Sequence, residues 1–238
     1  MIHVLLNLIT ADPALLGDSI GYMESEVRPA VESQQGSLGT SLLANPELGV
    51  AILESFWASG DALRDSETMA APSRREAAQR ARAKVTIERY QVPVFEQEAF
   101  SDAGVGVRLT RMDVQPSAAM DVPLSAVEDA IATFGDTAVP WLAETDGFCS
   151  ALLFVDWASG HSIAQTVWRD PQALAATRNA AGGDPGRYRN GGQLCDPLRR
   201  RVPAGVQFRA DGLTGLLARG TERRCTGGSA TLRNSDEC

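Results

Sequence analysis

The sequence predicts an α+β fold of two ferredoxin-like β-α-β-β-α-β repeats, whose antiparallel sheets pack into an eight-stranded α/β barrel. Three observations predict it. The first is an internal repeat, sought before anything else because it decides the architecture. Gly36–Leu63 reads GSLGTSLLANPELGVAILESFWASGDAL, and Gly147–Leu174 reads GFCSALLFVDWASGHSIAQTVWRDPQAL, 28 residues each and without a gap. At a constant offset of 111, Gly36 falls on Gly147, Leu42 on Leu153, Gly49 on Gly160, Ile52 on Ile163 and Trp57 on Trp168, and upstream Pro29 falls on Pro140. The WASG string shared by Trp57 and Trp157 would break all of these matches and is coincidence. Secondly, each copy contains the strand and helix patterns of one complete unit. Thirdly, the first strand is apolar on both faces, which requires cover on both. A four-stranded sheet with helices on one side leaves its other side bare, and a second such sheet packed against it supplies the cover.

The elements follow in order. Ile2–Ile9 reads as the first strand, with Ile2, Val4, Leu6 and Leu8 on one face and Leu5 and Ile9 on the other. Ala14–Ser33 reads as a helix, with Asp12 as N-cap and Pro13 at the first helical position. Ser37–Leu43 and Gly49–Trp57 are paired strands around an Asn45-Pro46 turn. Ser59–Arg82 holds the second helix, capped by Ser59, with a break expected at Pro72. Val85–Phe95 is the fourth strand, where Pro93 points to an edge or a bulge. The second copy repeats the plan with Val105–Val114, Ser125–Trp141, Phe148–Val155, His161–Trp168 and Asp170–Ala180. Its last strand is expected near Val202–Phe208, because Val202-Pro203 matches Val92-Pro93. The Gly-rich stretch Gly182–Gly192 reads as a loop. The repeats are thus expected at 1–98 and 103–210, and 211–238, which matches nothing in the first copy, as a flexible tail.

Composition narrows the partners. A net charge of −8 argues against a general nucleic-acid binder, despite the arginines Arg199, Arg200, Arg201, Arg209, Arg219, Arg223 and Arg224 near the end. No apolar run is long enough to span a bilayer. The opening MIHVLLNLITADP has no basic leader and reads as a strand, so a cytoplasmic location is expected. Cys149, Cys195, Cys225 and Cys238 form no CxxC pair and read as free thiols. His3 and His161 are too few for a metal site.

With the elements in place, GSLGTSLL…ILESFWASGDAL and GFCSALLF…IAQTVWRDPQAL resemble the antibiotic-biosynthesis-monooxygenase family of the dimeric α/β-barrel superfamily, and KVTIERYQVPVFE resembles that family's fourth strand. The resemblance, here in tandem duplication, implies the barrel fold and leaves activity open, since one fold hosts many functions. It implies that a single chain can form the barrel that single-copy relatives build as dimers, with further assembly open. Its cofactor-free oxygenases activate a phenolic substrate as its anion, with an apolar pocket and a few hydrogen-bond donors. On that resemblance Asn7, Trp57 and Tyr90 are the candidate catalytic residues, with Tyr22, Trp168 and Arg111 as candidate substrate-binding residues and no cofactor or metal. Arg111 is the rough counterpart of Asn7 in the second copy, and no tyrosine there matches Tyr90.

Each candidate also has a plainer reading. Trp57 and Trp168 recur at one position in both copies, as core tryptophans at a strand-to-helix corner would. Asn7, in an apolar strand, needs a partner that backbone or solvent could supply. The haem-degrading branch places a second Trp nine residues and an axial His eighteen residues beyond the strand-three Trp. Here those positions are Ser66 and Arg75 after Trp57, and Thr177 and Gly186 after Trp168, so ordinary haem ligation is not expected. Three functions stand, in two main readings: a cofactor-independent monooxygenase acting on an aromatic or quinone-type molecule, or a non-catalytic ligand-binding or structural protein of the same fold, with haem degradation third behind them.

Overall fold

The computed structural model describes residues 1–97, 105–113, 124–180 and 207–211. The first repeat contains strands β1 (Ile2–Thr10), β2 (Ser37–Asn45), β3 (Val50–Trp57) and β4 (Lys84–Gln97). The second contains β5 (Val105–Asp113), β6 (Phe148–Val155), β7 (His161–Trp168) and β8 (Gln207–Asp211). Neighbouring strands are antiparallel and close into a barrel in the order β1-β3-β2-β8-β5-β7-β6-β4. Within each repeat the order is the ferredoxin-like one, β4-β1-β3-β2 and β8-β5-β7-β6. Two seams join the repeats, β2 with β8 and β4 with β6. The expected fold class is the one observed, and the barrel closes within one chain.

The double-sided apolar pattern of β1 now has its reason. Val4, Leu6 and Leu8 point into the barrel, where they meet Phe56, Tyr90, Val107, Phe154, Ile163 and Val167. Leu5 and Ile9 point outward, beneath the first repeat's helices, with Leu16, Met23, Val27, Leu53 and Trp57. A matching outer core in the second repeat holds Val127, Phe134, Leu153, Trp168 and Leu174.

Those helices are α1 (Pro13–Tyr22), α2 (Arg28–Glu32) and α3 (Gly60–Arg80) in the first repeat, and α4 (Leu124–Thr133), α5 (Val139–Ala143) and α6 (Pro171–Ala180) in the second. Asp12 caps α1 by accepting from the Ala14 amide, with Pro13 beginning the helix, and Ser59 caps α3 by accepting from the Ala62 amide. The one long helix expected over 14–33 is interrupted by a π-helical turn at Met23–Val27, and its counterpart by one at Phe134–Ala138. Pro29 and Pro140 lie just beyond these turns in the two repeats. A proline cannot donate to the preceding turn, and a widened turn leaves room for its ring.

At the β2–β3 turn, the Asn45 side chain accepts from the Leu48 amide and Gly49 closes the turn at φ 66°. A Cβ at Gly49 would lie 2.2 Å from the Ala11 carbonyl oxygen, so only glycine fits. Its counterpart Gly160 is at φ 72°.

Three expectations are refined. The bulge anticipated at Pro93 is present, as a register shift between Gln91 and Val94 where β4 meets β6. The break at Pro72 is not: α3 runs through it. Both Pro72 and Thr68, whose carbonyl loses its helical donor, are exposed, so solvent can take up that carbonyl. The last strand, expected near Val202–Phe208, is described over Gln207–Asp211, and residues 202–206 lie outside the described residues. Val107 pairs with Phe208 where Val4 pairs with Tyr90, so Phe208 holds Tyr90's register and the Val-Pro likeness does not follow the strand pairing. Residues 182–192, most of the tail, and Cys195, Cys225 and Cys238 lie outside the described residues, whereas Cys149 is buried, its Sγ donating to the Gly147 carbonyl. Among the described residues no helix is long and apolar enough to cross a membrane.

Candidate functional site

On the outer face of the first repeat, the helices do not sit flush on the sheet. They leave a small, partly open cavity walled largely by Leu5, Ile9, Met23, Val27, Val31 and Leu53. The π turn contributes Met23 and Val27 to that wall. Five polar residues also reach it: Asn7, Ser55, Trp57, Ser66 and Arg74. Alternation along β1 and β3 puts the first three there, since Asn7 shares the face of Leu5 and Ile9, and Ser55 and Trp57 share that of Leu53. Helical spacing along α3 supplies Ser66, Ala70, Arg74 and Ala77.

Hydrogen bonds fix these groups unevenly. The Trp57 indole Nε1 donates to Ser55 Oγ at 3.1 Å, and Ser66 Oγ donates to the Leu63 carbonyl at 2.6 Å. Asn7 Nδ2 makes only a long contact of 3.5 Å to the Leu53 carbonyl, while its Oδ1 accepts from Arg74 Nε at 2.8 Å. That leaves Arg74 Nη2, which is buried and has no hydrogen-bond partner. Burial lowers the pKa of Arg74; Glu67 opposes the shift and Arg89 adds to it. Glu67 is itself held by Arg89, at 2.5 and 3.0 Å. Among the described residues no carboxylate pairs with Arg74.

Of the six residues singled out in the sequence, Asn7 and Trp57 meet at this cavity. Tyr90 does not, which corrects the expected trio: it faces Val4 and the barrel interior, on the opposite side of the sheet from Asn7. Its hydroxyl donates to Glu88 at 3.0 Å, and burial first, then the Glu88 charge, push its pKa up. Arg111 is inside the barrel too, gripping Glu88 at 2.8 and 3.0 Å and approaching the Tyr90 oxygen at 3.5 Å. Nor is Arg111 the counterpart of Asn7. Asn7 pairs with Leu53 and Thr110 pairs with Ala164, 111 residues on, so Thr110 is that counterpart and Arg111 stands at the position of Leu8. Tyr22 is half-buried, with the Arg80 guanidinium 4.5 Å from its ring centre, and does not line the cavity. Trp168 mirrors Trp57 in the second repeat, its Nε1 donating to Thr166 Oγ1 at 3.1 Å. There the Phe148 ring meets it edge-on at 5.6 Å, at the position occupied by Ser37 in the first repeat.

Sequence reasoning missed Ser55 and Arg74. Continuing the period of about four from Ser66 through Ala70 would have reached Arg74, one residue before the position tested for a haem ligand. Arg75 is exposed; its neighbour turns inward.

A barrel of two β-α-β-β-α-β repeats defines a class of fold that has been solved before. An anthrone oxidase-like protein superposes with a TM-score of 0.57 at 16% identity, covering 88% of this chain and 90% of its own. A provisionally named monooxygenase from Lactobacillus acidophilus NCFM gives 0.54 at 12% identity, covering 88% and 92%. These likenesses give the fold: this chain has the fold of the monooxygenase-like barrels that its sequence resembles. In sequence it is similar to two uncharacterized proteins of Mycobacterium tuberculosis (strain ATCC 25618 / H37Rv). Rv2557 is 25% identical over 179 residues, 75% of this chain and 76% of that protein, and Rv2558 is 26% identical over 182 residues, 76% and 74%. No family model matches the chain.

Proposed function

We propose that the first repeat's cavity binds a small aromatic or quinone-type molecule carrying an acidic oxygen, and that the protein is a cofactor-independent monooxygenase of the antibiotic-biosynthesis-monooxygenase type. The observation that carries this reading is a guanidinium with a buried, unpartnered N–H at an otherwise apolar cavity, held in place by Asn7. An unpaired buried donor is costly, and a ligand oxyanion is the partner that would stabilise it most. Apolar walls suit an aromatic ring, and the Trp57 indole offers it a flat face. In such a pocket the ring is held as its anion, because Arg74 stabilises the charged oxygen and water is excluded. For an anthrone-like substrate, the anion passes electrons to molecular oxygen. The ring methylene becomes a carbonyl that takes one oxygen atom, and the other leaves as water. No nucleophile of the protein is needed.

A second reading, ligand binding without turnover, draws on two observations. The Trp57 N–H is already engaged by Ser55, and Tyr90 lies on the far side of the sheet, so the cavity offers fewer donors than the expected trio. Haem chemistry has no support at the cavity, since arginines stand at and beside the axial position and do not ligate iron.

Oxygen uptake and quinone absorbance with a panel of anthrone-like phenols, in metal-free buffer, separate the readings. The monooxygenase reading expects both signals, reduced at least about tenfold in Arg74→Gln and Asn7→Ala and unchanged in Tyr90→Phe. Saturable binding that depends on Arg74 but consumes no oxygen would leave the binding reading in its place.

A further inference from the structure

Glu54 on β3 and Gln165 on β7 stand 111 residues apart in the sequence, at equivalent positions of the two repeats. In the closed ring β3 and β7 are four strands apart in either direction, diametrically opposed. Both side chains point inward and both residues are 0% exposed. They meet across the barrel, with Gln165 Nε2 donating to Glu54 Oε2 at 3.3 Å. Each retains one oxygen, Glu54 Oε1 and Gln165 Oε1, that is buried and without a partner.

Among the described residues the surroundings offer a carboxylate no free counter-charge. Beside Glu54 lie Leu6 on β1 and Ser41 on β2, and beside Gln165 lie Leu109 on β5 and Leu152 on β6. Lys84 and His161, on the interior face at the starts of β4 and β7, are exposed; among the described residues the other ionisable groups facing the interior are Glu88 and Tyr90 on β4, Arg111 on β5 and the Cys149 thiol on β6. The one cation among them, Arg111, is taken by Glu88 at 2.8 and 3.0 Å. An ionised Glu54 would therefore be a buried charge without a counter-charge, which is strongly destabilising.

A single proton resolves both orphan oxygens. With Glu54 neutral, its O–H donates to Gln165 Oε1 while Gln165 Nε2 donates to the other carboxyl oxygen, and the pair is satisfied in both directions. We propose that the folded chain holds Glu54 protonated at neutral pH, and that this two-way acid–amide pair is a latch joining the two repeats at the centre of the barrel, released in alkali. Burial supports it, pushing the Glu54 carboxyl from 4.5 up to about 8, with the Gln165 hydrogen bond and the neighbouring Ser41 hydroxyl pulling back. The sign follows from proton linkage. The folded state keeps a proton that the unfolded chain loses at 4.5, so the latch contributes fully below that pH and is lost as pH rises to about 8.

The test uses the full-length chain. Infrared difference spectra of the wild type, recorded as pH is raised, should show a protonated-carboxyl carbonyl band that disappears near pH 8 and is missing from Glu54→Gln. In parallel, the folding equilibrium constant of the wild type should fall by up to about tenfold per pH unit across the window, relative to Glu54→Gln, which keeps a two-way amide pair at every pH. Absence of a carboxyl band at neutral pH would overturn the proposal, as would parallel stability profiles of the two proteins. The band is read on the wild type, so the proposal stays falsifiable even where the variant folds poorly.

Discussion

The two repeats share their scaffold and differ in the space beneath their helices. Both have a tryptophan at the end of the third strand of the repeat, donating to a hydroxyl two residues back, Ser55 in one and Thr166 in the other. Both place a serine or threonine hydroxyl on the carbonyl three residues earlier, Ser66 on Leu63 and Thr177 on Leu174. Both carry the π turn and the left-handed glycines Gly36/Gly147 and Gly49/Gly160. Where the first repeat has Asn7 and Ser37, however, the second has Thr110 and Phe148. Features common to both are those that closing a strand into a helix requires; a site must be sought among the features that are not. By that criterion Trp57 and Ser66 are chiefly scaffold, while Asn7 is among the residues that set the first repeat apart.

Substitutions in pairs can break this comparison or sharpen it. The largest effect is expected from Trp168→Ala, which should cost about 3–5 kcal/mol because the indole is fully buried and packed by Phe148. Trp57→Ala should cost less, since part of its surroundings is already empty; urea unfolding of both variants measures the difference, and an equal loss would deny the cavity its role. Next in size, Ser37→Phe transplants the second repeat's edge-on ring and removes a buried hydroxyl that has no partner. It should stabilise the chain by about 0.5–1.5 kcal/mol. The same ring should also weaken ligand binding, which calorimetric titration would show; unchanged affinity would mean that Phe148 is not what distinguishes the repeats. The smallest effect is expected from Ser55→Ala and Thr166→Val. Each strips an indole N–H of its acceptor, at about 1 kcal/mol apiece. Similar losses in thermal unfolding would confirm the shared scaffold, and a clear inequality would break it.

Much of the fold was legible because it is written twice. Two repeats with one offset fix strand positions more firmly than either alone, and Phe148–Val155 and His161–Trp168 are observed as expected. The π turns were not legible, because apolar periodicity hardly changes over five residues and only the paired prolines hint at them. The register of the last strand was not legible, because Val202-Pro203 resembles Val92-Pro93 by composition, whereas register is set by pairing with β5. The site was legible in part. An amide in an apolar strand identifies Asn7 as a residue needing a partner, but its partner is Arg74, 67 residues away. Tyr90 could not be excluded from sequence, because the face on which a residue of β4 lies depends on its register with β1, and one step reverses it.

The barrel's closure within one chain has a consequence for how the protein survives dilution. A barrel built from two separate polypeptides dissociates into open sheets as its concentration falls, and its melting temperature falls with it. Here the seams between β2 and β8 and between β4 and β6 join parts of the same molecule, so their local concentration is set by the connecting chain and not by the cell. Melting should therefore be independent of protein concentration. No monomer with unpaired strand edges need exist even when only a few copies are made, and neither half has to find a partner before the barrel can close.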